Sequence, residues 1–364
     1  MKKSSSARVR LAIIGTGGMG GNHARQFAKI KSCNVVAAMD IDSERVATFC
    51  KENQIPGAYT RLDEMLDRES IDAVTIVTPD PLHKPLSLQC LKAGKHVLCE
   101  KPLALNHTDA VEMAHMARKT GVVNMVNFSY RDWPALQGLA RTVSEGKLGD
   151  IRHFEASYLQ AWLASDCWGD WRTQPTWLWR LSTSHGSKGV LGDVGVHILD
   201  ATTFAAGSIA RIQCTLKTFP KAKGNRIGKY KLDANDSAVM TAELTNGALG
   251  VVHTTRWCGG HANRLFIKIS GTRGTVCMDS DLSTTGFRIC AGKDLSSNTW
   301  KEVSCKPHPN NYAKFIQSIR TGVHHDPDFQ RGAEVQGYLD ACFESDSQQR
   351  PVVIPPARGG KKSL

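Results

Sequence analysis

Five short apolar runs separated by amphipathic stretches fill the first third of the chain and limit its fold more than any other feature. They are residues 9–14, 35–39, 73–77, 96–98 and 122–126. Helical periodicity occupies the intervals at 22–30, 43–51, 82–93 and 108–120. Strands that are apolar on both faces must be covered on both faces, and helices alternating with them supply that cover around a parallel sheet. The pattern predicts a doubly wound α/β domain over residues 1–128.

Past residue 130 the texture changes to longer alternating segments such as "SAVMTAELTNGALGVVHTT" and "RLFIKISGTRGTVCMD". Each contains a glycine-bearing turn, at Asn246-Gly247 and between Gly271 and Gly274, so each reads as an antiparallel hairpin. Residues 129–364 are therefore expected to form an α+β domain with a large, mostly antiparallel open sheet. The basic, Ser-rich start and the final "PPARGGKKSL" read as loose tails.

The first apolar run leads into Gly15-Thr16-Gly17-Gly18-Met19-Gly20 and then into a helical pattern. In this G-x-G-x-x-G spacing the first glycine permits a tight turn, the second lets backbone approach a pyrophosphate and the third lets helix pack on strand. The loop therefore predicts a dinucleotide. The second run ends at Asp40, where a carboxylate accepts hydrogen bonds from the adenine ribose hydroxyls and repels a 2′-phosphate, which favours NAD over NADP. Arg45 is close enough in sequence to accommodate NADP instead. Asp42, beside Ser43, reads as a helix cap.

"KHVLCEKPLA" places Glu100, Lys101 and Pro102 just past the carboxyl end of another strand, the edge at which open α/β sheets bind ligands. A lysine there can lower an alcohol's pKa or pass a proton to a ketone. From position alone, Lys101 reads equally well as a surface lysine. In "GVLGDVGVHILD", a helix would put Asp193 and His197 at i and i+4, where the carboxylate can support an imidazole that moves protons near neutral pH. A capping Asp and a core His fit the same spacing.

These segments together resemble the glucose–fructose oxidoreductase and inositol dehydrogenase family, Gfo/Idh/MocA. The resemblance runs from the glycine loop through "TPDPLH" at 78–83, "EKPLA" at 100–104 and "WR" at 179–180 to "GDVGVHILD" at 192–200. It implies a Rossmann domain followed by a domain whose open sheet often forms the subunit interface of a homodimer or homotetramer. It also implies oxidation or reduction of a sugar, glycoside or cyclitol at one carbon. On these positions Lys101 would meet substrate oxygen and nicotinamide, His197 would be the general acid/base, and Asp193 its partner or a substrate ligand. Ile41, Thr78, Pro79, His83, Glu100 and Asn127 would join the glycine loop and Asp40 in binding cofactor, and the Lys101-Pro102 peptide would be cis. Two departures stand out: Ser187 and Lys188 replace common glycines, and Asp80 a common Asn. Lys188 could select an anionic sugar, although a solvent-facing lysine is the simpler expectation.

Five of the eight tryptophans lie within 162–179. Indole faces pack against sugar C–H surfaces, and Arg172 and Arg180 can donate to hydroxyls. Arg180 is the leading substrate contact, followed by Trp179, His185, Arg131 and Asn127; most of the other rings read as core.

Composition closes off the alternatives. The net charge of +12 peaks in the aromatic-poor stretch 217–231, which reads as a solvated basic loop and not a nucleic-acid arm. The eleven cysteines show no CxxC pair, which fits a reducing cytoplasm, and nothing suggests a metal site. No apolar run approaches the ~20 residues of a membrane span, so a soluble protein is expected. The alternative to a sugar or polyol dehydrogenase is a non-catalytic dinucleotide sensor on the same fold.

Overall fold

Every apolar run of the first third becomes a strand in the computed structural model, which describes residues 8–355. The two expected tails fall, at residues 1–7 and 356–364, outside the described residues. By contact the chain divides into two units, residues 1–129 with 309–336 and residues 130–308 with 337–364. The sequence texture suggests a single boundary after residue 128. The structure corrects that reading for 309–336, whose amphipathic helix buries its apolar side in the first unit.

In the first unit, strands β1 (Val9–Ile14), β2 (Cys33–Met39), β3 (Gly57–Tyr59), β4 (Ala73–Ile76), β5 (His96–Cys99) and β6 (Asn124–Val126) form a parallel sheet ordered β3-β2-β1-β4-β5-β6. The order reverses direction between β1 and β4. Open α/β sheets bind ligands at such a reversal, beyond the carboxyl ends of the strands.

The connecting helices are α1 (Gly18–Ala28), α2 (Ser43–Asn53), α3 (Leu62–Arg68), α4 (His83–Lys92) and α5 (His107–Thr120), and α9 (Asn311–Thr321) packs on α1, β1 and β6. Asp42 caps α2 by accepting from the Arg45 amide, as its position predicts, and Asn106 caps α5. Leu11, Ile13, Phe27, Phe49 and Leu98 share one core cluster with Phe315 and Ile316 of α9. The short edge strand β3 and helix α3 carry too few apolar residues to show as a periodic run.

The second unit is built on β7 (Ile151–Gln160), β8 (Ile209–Lys217), β11 (Ser237–Leu244), β12 (Leu249–Thr255), β13 (Asn263–Gly271), β14 (Gly274–Asp279), β15 (Gly286–Ala291), β16 (Lys301–Ser304) and β17 (Val352–Val353). Among the described residues these strands lie in the order β16-β15-β14-β13-β7-β12-β11-β8-β17, antiparallel throughout except for β7 beside β12. Both expected hairpins are present, β11–β12 and β13–β14. At the first turn Gly247 adopts φ 84°, a left-handed conformation that costs a glycine least.

Two helices, α6 (Pro134–Ser144) and α8 (Val196–Ala206), pack on this sheet; α8 is buried almost all round, including its polar residues His197, Asp200, Thr202 and Thr203. The short α7 (Pro175–Leu178) lies in the tryptophan-rich segment, and β9 (Arg226–Ile227) and β10 (Tyr230–Lys231) form a small basic hairpin. The last helix, α10 (Phe329–Gln348), begins in the first unit and ends in the second. Among the described residues no helix is long and apolar enough to cross a membrane, and no group of three acidic, His or Cys side chains could hold a metal.

Candidate cofactor and active site

The glycine loop follows β1 and opens α1, and its first and last glycines have a steric reason. Gly15 has φ +99°, and a Cβ there would lie 2.6 Å from the Val77 carbonyl oxygen. A Cβ on Gly20 would lie 2.4 Å from the Gly15 carbonyl oxygen. Gly17 and Gly18 face open space, so their backbone is accessible where a helix N-terminus attracts a pyrophosphate.

At the end of β2, Asp40 accepts from the Thr16 amide and hydroxyl, both at 2.9 Å, and from the Arg45 guanidinium. Burial opposes its ionisation, but these donors outweigh it and hold the carboxyl well below the usual carboxylate range. Arg45 is thus already engaged by Asp40. The Asp42 amide also donates to Asp40, so its roughly four lone-pair sites are all engaged and a ribose hydroxyl would bind by displacing the Arg45 guanidinium, the most exposed of these donors. Ile41 is 81% exposed and Met19 51%, apolar surfaces next to Asp40 and within the glycine loop in sequence.

At the ends of β4 and β6, Thr78 Oγ1 and Asn127 Oδ1 are buried without a hydrogen-bond partner in the protein, as expected of groups that meet a ligand. The open glycine backbone, the ionised Asp40 and these two atoms fit a dinucleotide.

Beneath Lys101 lies a buried polar network. Glu100 Oε1 lies 2.9 Å from His23 Nε2 and accepts from Asn127 Nδ2 at 2.6 Å, while Oε2 accepts from the Lys101 amide at 3.2 Å. His23 Nδ1 lies 2.8 Å from Thr75 Oγ1, and the Asn127 amide also reaches the Tyr312 hydroxyl at 3.0 Å. Burial alone would raise Glu100; His23, Asn127 and Lys101 instead bring it down to about 2.

Two expectations change as a result. Glu100 supports the Lys101 backbone from below, and Asn127 keeps only its carbonyl oxygen for a ligand. His83 changes as well: it is fully buried, with Nδ1 2.7 Å from the Pro102 carbonyl oxygen and Nε2 2.9 Å from that of Thr78. It ties two loops together and does not line a cleft. The Lys101-Pro102 peptide is cis, as the family resemblance implies.

In the second unit Asp193 lies in a π-helical turn, Leu191–Gly195, that runs directly into α8 and His197. The segment is helical as expected, with a turn type that often marks functional sites. Asp193 Oδ2 accepts from Arg256 Nη2 at 2.9 Å and lies 3.8 Å from Arg180 Nε. Arg256 is fully buried, stacks 4.9 Å from the Trp162 ring and also donates to the Arg180 carbonyl.

His197 packs 4.6 Å from the Tyr130 ring. Tyr130, Tyr158, Asn263, Gln160 and the Trp162 indole N–H continue as one hydrogen-bonded chain. Burial, then Tyr130, then the Asp193 charge push the Tyr158 hydroxyl well above its usual pKa, so it remains a neutral donor. Sequence reasoning missed Arg256 and this tyrosine pair. The available signal was a cation at the end of the apolar strand β12, in "HTTRW", and a tyrosine on the inward phase of β7.

Of the remaining candidates, Arg180 lies between the Trp177 and Trp179 rings, 5.4 and 4.7 Å away, and Trp179 is 39% exposed. Trp162 and Trp171 are core, as most of the tryptophans were expected to be. Arg131, expected as a weaker substrate contact, is engaged within the protein. It is buried in a two-bond ion pair with Asp200, at 2.7 and 2.8 Å, with its guanidinium 4.3 Å from the Phe204 ring. His185 packs against Tyr230 of the basic hairpin. Lys188 is exposed, its ammonium 5.7 Å from the Phe343 ring, which agrees with the solvent-facing expectation.

The description "Oxidoreductase family, NAD-binding Rossmann fold" of the GFO_IDH_MocA family matches residues 9–128, and the GFO/IDH/MocA C-terminal domain matches residues 136–277. The chain belongs to the Gfo/Idh/MocA family. This Gfo/Idh/MocA protein is an NAD-binding oxidoreductase.

It is 27% identical to levoglucosan dehydrogenase of Pseudarthrobacter phenanthrenivorans, over 95% of this chain and 98% of that one. Among solved structures, an oxidoreductase domain protein of Kribbella flavida superposes with TM-score 0.86 at 28% identity, over 96% of this chain and all of that one. A levoglucosan dehydrogenase bound to NADH and levoglucosan superposes with TM-score 0.85 at 24% identity, over the same shares, and at that identity shows the fold alone.

Proposed function

We propose that this Gfo/Idh/MocA protein is an NAD-dependent dehydrogenase acting on a ring carbon of a sugar, glycoside or cyclitol. The observation that supports this most strongly is the Asp193 carboxylate, fixed by a buried arginine one helical turn ahead of His197. A non-catalytic sensor has no need of such a charge. The dehydrogenase name of the levoglucosan relative points the same way.

The loop from Gly15 to Gly20, Asp40, Thr78 and Asn127 would hold the cofactor. When bound, NAD supplies the hydride acceptor at nicotinamide C4. As hydride leaves the substrate carbon, His197 takes the hydroxyl proton, Asp193 steadies the resulting imidazolium, and Lys101 stabilises developing alkoxide. In the reverse direction His197 returns that proton to the reduced carbonyl. Arg180 and Trp179 would orient the ring, through hydroxyl hydrogen bonds and C–H packing respectively. Oxidation at C3 of a glucoside is one specific version of this reading, reduction of a keto-sugar the reverse.

Val239, Leu249 and Val353, each more than half exposed on the open sheet, support that face as a homodimer or homotetramer interface. The test is turnover of a panel of anhydrosugars, glucosides, inositols and sugar acids with NAD, followed by absorbance of the reduced cofactor. Turnover that collapses in both Lys101→Ala and His197→Ala supports the reading. NAD binding without any turnover favours a sensor.

A further inference from the structure

His83 lies between two loops of the first unit, and both of its neighbours are acceptors. Nδ1 is 2.7 Å from the Pro102 carbonyl oxygen and Nε2 is 2.9 Å from the Thr78 carbonyl oxygen. A neutral imidazole has one N–H and one lone pair. In either tautomer it would leave a lone pair against a carbonyl oxygen, in a site with no exposure to water. Turning the ring over replaces nitrogens with carbons and satisfies neither oxygen. Only the doubly protonated ring donates to both.

The surroundings tolerate that charge. Asp80 stands three residues before His83, in the short helical turn leading into α4, and Cys99 ends the adjacent strand β5. From α5, Asp109 and Glu112 face Lys84, each at 2.6 Å, and not the imidazole. Burial opposes the charge, but the Cys99 sulfur, Asp80 and the Pro102 carbonyl outweigh it and lift the ring to about 10.

We propose that His83 is a buried imidazolium that braces the backbone of the loops carrying Thr78 and Lys101. One N–H holds the Pro102 carbonyl, immediately after Lys101, and the other holds the Thr78 carbonyl at the end of β4. Strands β4 and β5 are sheet neighbours, so this cation braces the two loops that leave adjacent strands at the ligand-binding edge. Glu100 holds the Lys101 amide from the other side. The importance of this brace for catalysis rests on the dehydrogenase reading; the charge on His83 does not.

The full chain, labelled with ¹⁵N-histidine and examined by NMR at pH 8, tests the charge, with His83→Gln assigning the resonance by its disappearance. Two protonated ring nitrogens at pH 8, persisting until the pH nears 10, are expected. A bare ring nitrogen at pH 8 overturns the proposal.

NAD titrations of wild type, Lys101→Ala and His83→Gln between pH 8 and 10.5 test the brace. Affinity should fall with rising pH in the first two and be about tenfold weaker but pH-independent in His83→Gln, because glutamine keeps one donor and loses the charge. Unchanged affinity in a folded His83→Gln overturns the bracing role. If no sugar is turned over while His83 is doubly protonated, the dehydrogenase reading fails and the charge assignment stands.

Discussion

Arg256 and Asp193 form an asymmetric ion pair: the guanidinium is fully buried, while the carboxylate it holds at 2.9 Å is 31% exposed at the side chain. The buried end fixes the position of the exposed one. Burial pulls the Arg256 pKa down, and Asp193 is the main group opposing that fall. The asymmetry predicts unequal stability costs. Asp193→Ala leaves a buried cation without this partner and should cost about 3 kcal/mol, whereas Arg256→Met leaves a partly solvated carboxylate and should cost clearly less. Urea unfolding of both variants checks the order. Both should lower kcat/KM, and equal stability losses would contradict the asymmetry.

Removing the proton acceptor should affect chemistry and not cofactor binding. His197→Ala should lower kcat by roughly 10²- to 10⁴-fold while leaving NAD affinity within about twofold, because His197 belongs to the second unit and the glycine loop to the first. Steady-state kinetics beside an NAD fluorescence titration would show the split. A loss of NAD affinity as large as the loss of kcat would exclude the general-base role.

Cofactor choice should turn on Asp40. Asp40→Ala removes the ribose acceptor and releases Arg45 from its ion pair. NAD should bind roughly 10- to 100-fold more weakly, the equivalent of a lost hydrogen bond to a charged group, while NADP improves in relative terms. The ratio of kcat/KM for the two cofactors is the measurement.

Acid should weaken the first unit through Glu100. Its pKa falls from 4.5 unfolded to about 2 folded, so its contribution to stability is complete above about pH 4.5 and is lost as pH drops through about 2. Chemical unfolding at pH 5 and pH 3 should show wild type losing more stability than Glu100→Gln. Equal losses would mean that the network does not hold an ionised carboxylate.

Local signals made most of the fold legible. Strand runs apolar on both faces and a G-x-G-x-x-G turn report short-range requirements, and β1, β2 and α1 lie close to where those requirements place them. What escaped was decided by partners distant in sequence. No pattern near Arg256 shows that it will meet Asp193, and none near Arg131 shows that Asp200 will occupy both edges of its guanidinium. His83 was legible as important and not as buried, because its two acceptors come from separate loops. The catalytic candidates Lys101, Asp193 and His197 stood out because charged residues beside glycine and proline at strand or helix ends are hard to explain by packing.

The return of residues 309–336 to the first unit has a consequence for how the protein is made. Tyr312, Phe315 and Ile316 belong to the same core cluster as the strand at residues 9–14, and the Tyr312 hydroxyl bonds Asn127 beneath the cofactor loops. A ribosome must therefore deliver nearly the whole polypeptide, including all of residues 130–308, before the nucleotide-binding half can close its own interior. Until then that half waits with an unfilled groove on its surface, so its early form should depend on chaperones and should not yet hold cofactor.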